Sequence, residues 1–184
     1  MLNVLAKNVD ALRLSTYFYK DRNGPIEFGP IWDFDRSMNS TDGRDDNPTT
    51  WNGTGDGTDF FNYPWWGRLF DDPDFMQLYR DRWHEFRQGP LSNTNIRNVI
   101  DTMSGQIQEA QPRDSAKWGR ISANGWRTEI NSLKTWLTTR AGWMDSQFRA
   151  PPSFSPGPGL ITPGFVFTLR GGTGSIYYLS LIHI

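Results

Sequence analysis

Asp10, Asp33 and Asp35 are the side chains in this sequence whose type and spacing could carry chemistry. A phosphoryl-transfer site needs one carboxylate to accept or orient the proton of the attacking hydroxyl and others to hold Mg²⁺ against the phosphates. Asp10 closes a polar stretch, Lys7-Asn8-Val9-Asp10, and Asp33 and Asp35 belong to Ile31-Trp32-Asp33-Phe34-Asp35. On an extended backbone, side chains two residues apart point to the same side, which would put Asp33 and Asp35 together. The plainer reading stands beside this one. An Asp after a strand is commonly a cap or turn residue, and Asp35 with Arg36 would make a surface ion pair of little worth.

Several elements must position these residues. Leu2, Leu5, Val9 and Leu12 follow a helical spacing that breaks at Lys7–Asp10, which predicts a helix running into a polar loop. Thr16–Tyr19 and Ile26–Phe28 are strand-like and bracket Asn23-Gly24, the strongest short hairpin signal, so a β-hairpin over 16–28 lies between Asp10 and Asp33. Residues 37–67 are rich in Ser, Thr, Asn, Asp and Gly without periodicity and read as a long functional or disordered loop.

Helices follow. Asp71 or Asp72 caps the first, with Pro73 in its opening turn and Phe75, Leu78, Tyr79, Trp83 and Phe86 as its stripe. Ser92 or Asn93 caps the second, which carries Ile96, Val99, Ile100, Met103 and Ile107 and ends before Pro112. Trp126, Ile130, Leu133, Leu137, Ala141, Met144 and Phe148 mark the third. The fold class is therefore α+β. Residues 151–159, rich in Pro and Gly, read as a linker, and Phe165–Leu169 and Ser175–Tyr178 as strands of a second module.

Composition narrows the function classes. The 19 basic and 20 acidic residues nearly cancel, which argues against a nucleic-acid footprint, although residues 1–75 carry 7 basic and 13 acidic groups. No run of apolar residues is long enough to span a membrane. Without cysteine there are no disulfides, thiolate metal sites or cysteine nucleophile. His84 and His183 have no metal-ligand partner at suitable spacing, so zinc is not expected. The tryptophans at helical spacing read as core, whereas Trp51, Trp65 and Trp66, in or beside the acidic loop, are candidates for exposed stacking on a sugar or peptide. Arg13, near Asp10, would pair with it or with a phosphate. Asn52–Gly57 reads as a flexible loop in preference to a calcium site.

In protein-kinase architecture the base sits in a loop before a β-hairpin and the metal-binding Asp directly follows that hairpin, which is the order here. Lys7-Asn8-Val9-Asp10, Ser15-Thr16-Tyr17-Phe18-Tyr19-Lys20-Asp21 and Gly29-Pro30-Ile31-Trp32-Asp33-Phe34-Asp35-Arg36-Ser37 together resemble the spore coat protein CotH family of atypical protein kinases. Trp65-Trp66-x-x-Leu69-Phe70 and Asp72-Pro73-Asp74-Phe75 extend that resemblance over roughly residues 1–150.

The resemblance implies a kinase-like C-terminal lobe in which Asp10 is the catalytic carboxylate, Asp33 the metal-binding Asp and Asp35 a second metal candidate. It also implies ATP as co-substrate, Mg²⁺ or Mn²⁺, a protein substrate with Ser or Thr, and an extracellular or cell-surface location. The chain departs from the kinase pattern at Ser15, which stands where a metal-binding Asn is placed five residues after the catalytic Asp. A further departure is that the nucleotide-covering lobe has no counterpart in the nine residues before Asp10, so the expected unit is part of a larger kinase, inactive by itself. The alternative is a non-catalytic glycan- or protein-binding module on the same scaffold. A carboxylate-pair glycosidase fits poorly, because it needs two acids facing across a cleft.

Gly159–Leu169 and Gly174–Tyr178 resemble the start of the β-sandwich at the C-terminus of chitobiase-like proteins, giving a module over residues 160–178. Leu179–Ile184 matches the in-frame translation of a sequencing-library adapter, which makes residues 179–184 an expected assembly artefact. Long reads across the genomic locus should diverge from this sequence at Leu179. An uninterrupted codon run through Ile184 to a native stop would refute that origin.

Overall fold

The computed structural model describes residues 1–12, 14–40, 43–51, 66–119, 121–155, 159–160, 162–171 and 175. Among them the chain is mixed α+β, in the order α1 (Leu2–Ala6), β1 (Phe18–Lys20), β2 (Ile26–Phe28), α2 (Trp66–Phe70), α3 (Pro73–Arg87), α4 (Asn93–Ile107), α5 (Gln111–Trp118), α6 (Ala123–Gln147), β3 (Ser153–Ser155) and β4 (Thr168–Arg170). No helix among the described residues is long and apolar enough to cross a membrane.

Local chemistry accounts for most of these boundaries. Asp72 caps α3 by accepting from the backbone N–H groups of Asp74 and Phe75, with Pro73 in the first turn, where its missing N–H costs nothing. Ser92 accepts from Asn95 N at the start of α4, and Ser122 from Gly125 N at the start of α6. Pro112 opens α5 as well as bounding the preceding helix, and α5 stops at Gly119, whose φ of 63° suits a residue without a Cβ. β1 and β2 form the expected antiparallel hairpin, with Phe18 opposite Phe28 and Lys20 opposite Ile26, closed by a bond from Gly24 N to Asp21 O.

The core gathers Val4 and Leu5 of α1, Tyr79 and Trp83 of α3, Ile96 and Ile100 of α4, and Ala141, Met144 and Phe148 from the end of α6. A helix 25 residues long reaches all of these partners, and α6 packs on α1, α4 and α5. Asp145 ties α3 to α6 by accepting from Trp83 Nε1 at 2.9 Å and from Arg87 Nε and Nη2 at 3.0 and 2.9 Å.

A second buried face of α6 does not follow from its apolar stripe. Trp136, Arg140 and Trp143 project toward residues 45–51, a segment with no regular structure whose carbonyls need donors. Trp136 Nε1 donates to Asp46 O at 3.0 Å, Lys7 Nζ to Asn47 O at 2.9 Å, and Arg140 Nη1 to Pro48 O and Thr50 O at 3.0 and 2.5 Å. Arg140 Nη2 donates to Val4 O at 2.9 Å, and the guanidinium lies over the rings of Trp51 and Trp143. Trp51 itself packs on Trp143 and Phe148, with ring centroids 4.5 and 5.7 Å away.

β3 and β4 pair antiparallel, Phe154 opposite Leu169. The strand expected at 165–169 is thus shifted to 168–170, and its partner comes from the stretch read as a linker. Ser153-Phe154-Ser155 follows Pro151 and Pro152 and precedes Pro156, so the prolines flank the strand and leave its own N–H groups available. Among the described residues the expected stub of a β-sandwich over 160–178 contributes one strand to a two-stranded sheet, and the chitobiase-like resemblance is not confirmed. Residues 176–178 and the expected artefact at 179–184 lie outside the described residues.

Lys7 is fully buried, and desolvation, then the Arg140 charge, pushes its ammonium down to about 8 from 10.5, against the opposing pull of Asp46 and Asp45. A neutral amine keeps two N–H donors for its two acceptors, Asn47 O and Thr50 Oγ1. Between about 8 and 10.5 the unfolded chain therefore holds a proton on Lys7 that the folded chain has released, and this group makes stability rise with pH in that window. Denaturant melts from pH 8 to 10 should show a steeper rise for the wild type than for Lys7→Met; parallel curves would contradict it.

Candidate functional site

The end of α1 sets the geometry of the site. Lys7 takes a left-handed conformation, φ 51°, which turns the chain out of the helix and into the Asn8–Asp10 loop. Asn8 is fully buried and bonds in two directions: Nδ2 donates to Asp33 O at 2.8 Å, and Oδ1 accepts from Asp10 N at 3.3 Å. Two backbone bonds run alongside, Val9 N to Arg36 O at 3.3 Å and Met38 N to Ala6 O at 3.0 Å. Residues 33–38 are thereby laid against residues 6–10, although 25 positions separate Asn8 from Asp33.

The two acids that flank the hairpin are linked through Ser15. Asp10 O accepts from Leu14 N at 2.9 Å and from Ser15 N at 3.1 Å, and the Ser15 hydroxyl donates to Asp33 Oδ2 at 2.7 Å. Ser15 thus links the backbone of one acid to the side chain of the other. The Asp10 carboxylate, 17% exposed, sits 3.6 Å from Arg44 Nη2 and 3.8 Å from Arg36 Nη1.

Asp35 does not follow the simple pattern. Asp33 has φ 63°, so the segment is not extended there, and the alternation argument that would align Asp33 with Asp35 fails. Asp35 lies exposed in a turn, and Arg36 reaches Asp10. Among the described residues no three His, Asp or Glu side chains come together as a ready metal cage. The donors present are carboxylate oxygens, the hard ligands that Mg²⁺ takes when one or two carboxylates share it with water and phosphate.

A cleft of about 370 Å³ opens beside Ser15, walled by Leu12, Tyr17, Phe28, Ile31, Trp32 and Trp66. Two of the tryptophans expected to be exposed platforms are structural. Trp66 is buried, donates its Nε1 proton to Leu12 O at 2.8 Å and packs on Phe28. Trp51 is half-buried against Trp143 and Phe148 because Arg140 and α6 draw its loop inward. Trp65, Arg13, Asn52–Gly57 and His183 lie outside the described residues.

Sequence reasoning did not single out Asn8 or Arg44, and it paired Arg36 with Asp35 where the structure has Arg36 reach Asp10. Asn8 was legible as part of the polar break in the helical pattern. Arg44 stands in an aperiodic acidic stretch, and nothing local links it to Asp10, 34 positions earlier.

A hairpin between two loop carboxylates, backed by helices, is the organisation of a kinase-like catalytic lobe. A family model described as CotH kinase protein matches residues 1–144, and the chain belongs to that family. Membership brings a general expectation of ATP, a divalent metal and a protein substrate. Comparison with curated proteins and with solved structures gave no match.

Truncating Asn8 leaves Asp33 O and Asp10 N without their buried partner. Asn8→Ala should cost about 1–3 kcal/mol of stability, read from the denaturant midpoint. Asn8→Asp, which loses the donor and buries a charge, should cost more. An unchanged midpoint in Asn8→Ala would show that Asn8 does not hold the two segments together.

Proposed function

We propose that this chain supplies the catalytic and metal-binding carboxylates of a CotH-type kinase that moves the γ-phosphoryl group of ATP to a Ser or Thr hydroxyl of a surface or coat protein. The observation that carries this reading is the junction of Asp10 and Asp33 through Asn8 and Ser15. In the reaction the hydroxyl oxygen bonds to the γ-phosphorus, its proton passes to the Asp10 carboxylate, and the bond from that phosphorus to the bridging oxygen of ADP breaks. Asp33 would hold Mg²⁺ or Mn²⁺, with Asp35 as a second contributor; when bound, the metal neutralises charge on the phosphates. Ser15 orients Asp33 by donating to Oδ2, so it serves this site as a positioning hydroxyl.

A glycan- or protein-binding module, the alternative reading, relied on Trp51, Trp65 and Trp66 as open stacking platforms. Two of these three pack inward, which leaves the carboxylate site as the better-supported feature.

The protein expressed from the gene that carries this chain, incubated with labelled ATP and Mg²⁺ or Mn²⁺, should transfer label to protein Ser or Thr. Asp10→Ala and Asp33→Ala should each abolish transfer. Labelling by Asp33→Ala equal to the wild type would remove the metal assignment, and equal labelling by Asp10→Ala would remove the base.

A further inference from the structure

Two guanidinium groups converge on the carboxylate of Asp10, Arg44 at 3.6 Å and Arg36 at 3.8 Å. Both separations exceed the 2.7–2.9 Å of a direct charge-assisted hydrogen bond. Neither arginine hangs on a loose backbone. Arg36 O accepts from Val9 N, one residue from Asp10. The Arg44 side chain is only 13% exposed, and its neighbour Asp45 is fully buried, accepting from Ser40 N at 2.8 Å and Ser40 Oγ at 3.2 Å. Beyond it, Trp136, Lys7 and Arg140 hold the carbonyls of residues 46–50. This is more construction than a surface ion pair requires, since such pairs contribute little to stability.

We propose that Arg36 and Arg44 form an anion clamp that takes hold of the phosphoryl oxygens during transfer, with Asp10 occupying the clamp until phosphate arrives. The proposal rests on Asp10 being the base. A hydroxyl hydrogen-bonded to that carboxylate presents its oxygen to the γ-phosphorus, which brings the phosphoryl oxygens beside the groups that already line Asp10. Charge spreads over three equatorial oxygens in the transition state, and planar, bidentate guanidinium donors match that geometry. Arg36, half exposed, can follow the phosphate, whereas Arg44 is fixed and defines where it sits.

Inorganic pyrophosphate, titrated calorimetrically at low salt into the protein expressed from the gene that carries this chain, probes the clamp without needing turnover. Arg36→Ala and Arg44→Lys should each weaken binding about tenfold. Asp10→Asn should tighten it, because the competing charge is gone while the shape is kept. Circular dichroism checks that each variant is folded, and the Arg44→Lys change keeps a buried cation in place. Equal affinity in the wild type, Arg36→Ala and Arg44→Lys, or no gain in Asp10→Asn, would overturn the proposal.

In phosphate transfer by the gene product, Arg36→Ala should lower kcat about 10²-fold, the loss typical of removing one transition-state donor. A folded Arg36→Ala that transfers at the wild-type rate overturns the clamp and leaves the kinase reading standing. Arginine-dependent pyrophosphate binding with no transfer by the wild type does the reverse, removing the kinase reading while the anion site survives.

Discussion

Arg140 is the constraint on which most of this molecule depends. Its guanidinium is buried, bonds Val4 O of α1 and Pro48 O and Thr50 O of the loop, and lies over Trp51 and Trp143. Burial pushes it down to about 10, with Tyr79 pulling the other way. A charge can be kept in such a place only where carbonyl dipoles and aromatic faces replace its water. The same bonds serve the loop, because backbone without a ladder must find donors elsewhere. One side chain near the end of α6 therefore supplies the donors that the carbonyls of residues 48 and 50 need, leaves only its own buried Nε without a hydrogen-bond partner, and in doing so fixes α1 against α6.

The consequences run to the site. Once residues 46–50 are held by Arg140, Lys7 and Trp136, Arg44 at their N-terminal side stands against Asp10. Once α1 is docked, the left-handed turn at Lys7 delivers Asn8, which joins Asp10 to Asp33. The acids themselves sit in loops, but the loops are tied to helices by buried side-chain bonds. A site built this way resists drift, because moving Asp10 or Arg44 would strip buried polar groups of their partners.

Much of the frame was legible along the chain because it rests on local rules. The Asp72 cap with Pro73, the Ser92 cap and the Asn23-Gly24 hairpin each need only a few neighbouring residues to be read. The candidate site was legible in part: Asp10 and Asp33 stand out by their order around the hairpin, and Ser15 links them, its N–H donating to Asp10 O and its hydroxyl to Asp33 Oδ2. What failed were inferences that assumed a regular backbone or an exposed loop. Asp33 is left-handed, so Asp35 is not its neighbour by alternation. Trp51 and Trp66 looked available because their surroundings are polar, yet Arg140 and Leu12 O engage them from distant parts of the chain.

By itself the sequence determined the α+β class, the main helices with their caps, the hairpin and the carboxylates that flank it, because propensity, capping and turn chemistry act over a handful of residues. Only the tertiary structure decided that α6 has a second buried face, that Arg36 and Arg44 meet at Asp10, and that Ser153–Ser155 pairs with Thr168–Arg170. Those outcomes depend on where buried polar groups find partners, and hydrogen bonding across 90 or more positions, as between Trp136 and Asp46 or Arg140 and Val4, leaves no periodic trace in the chain.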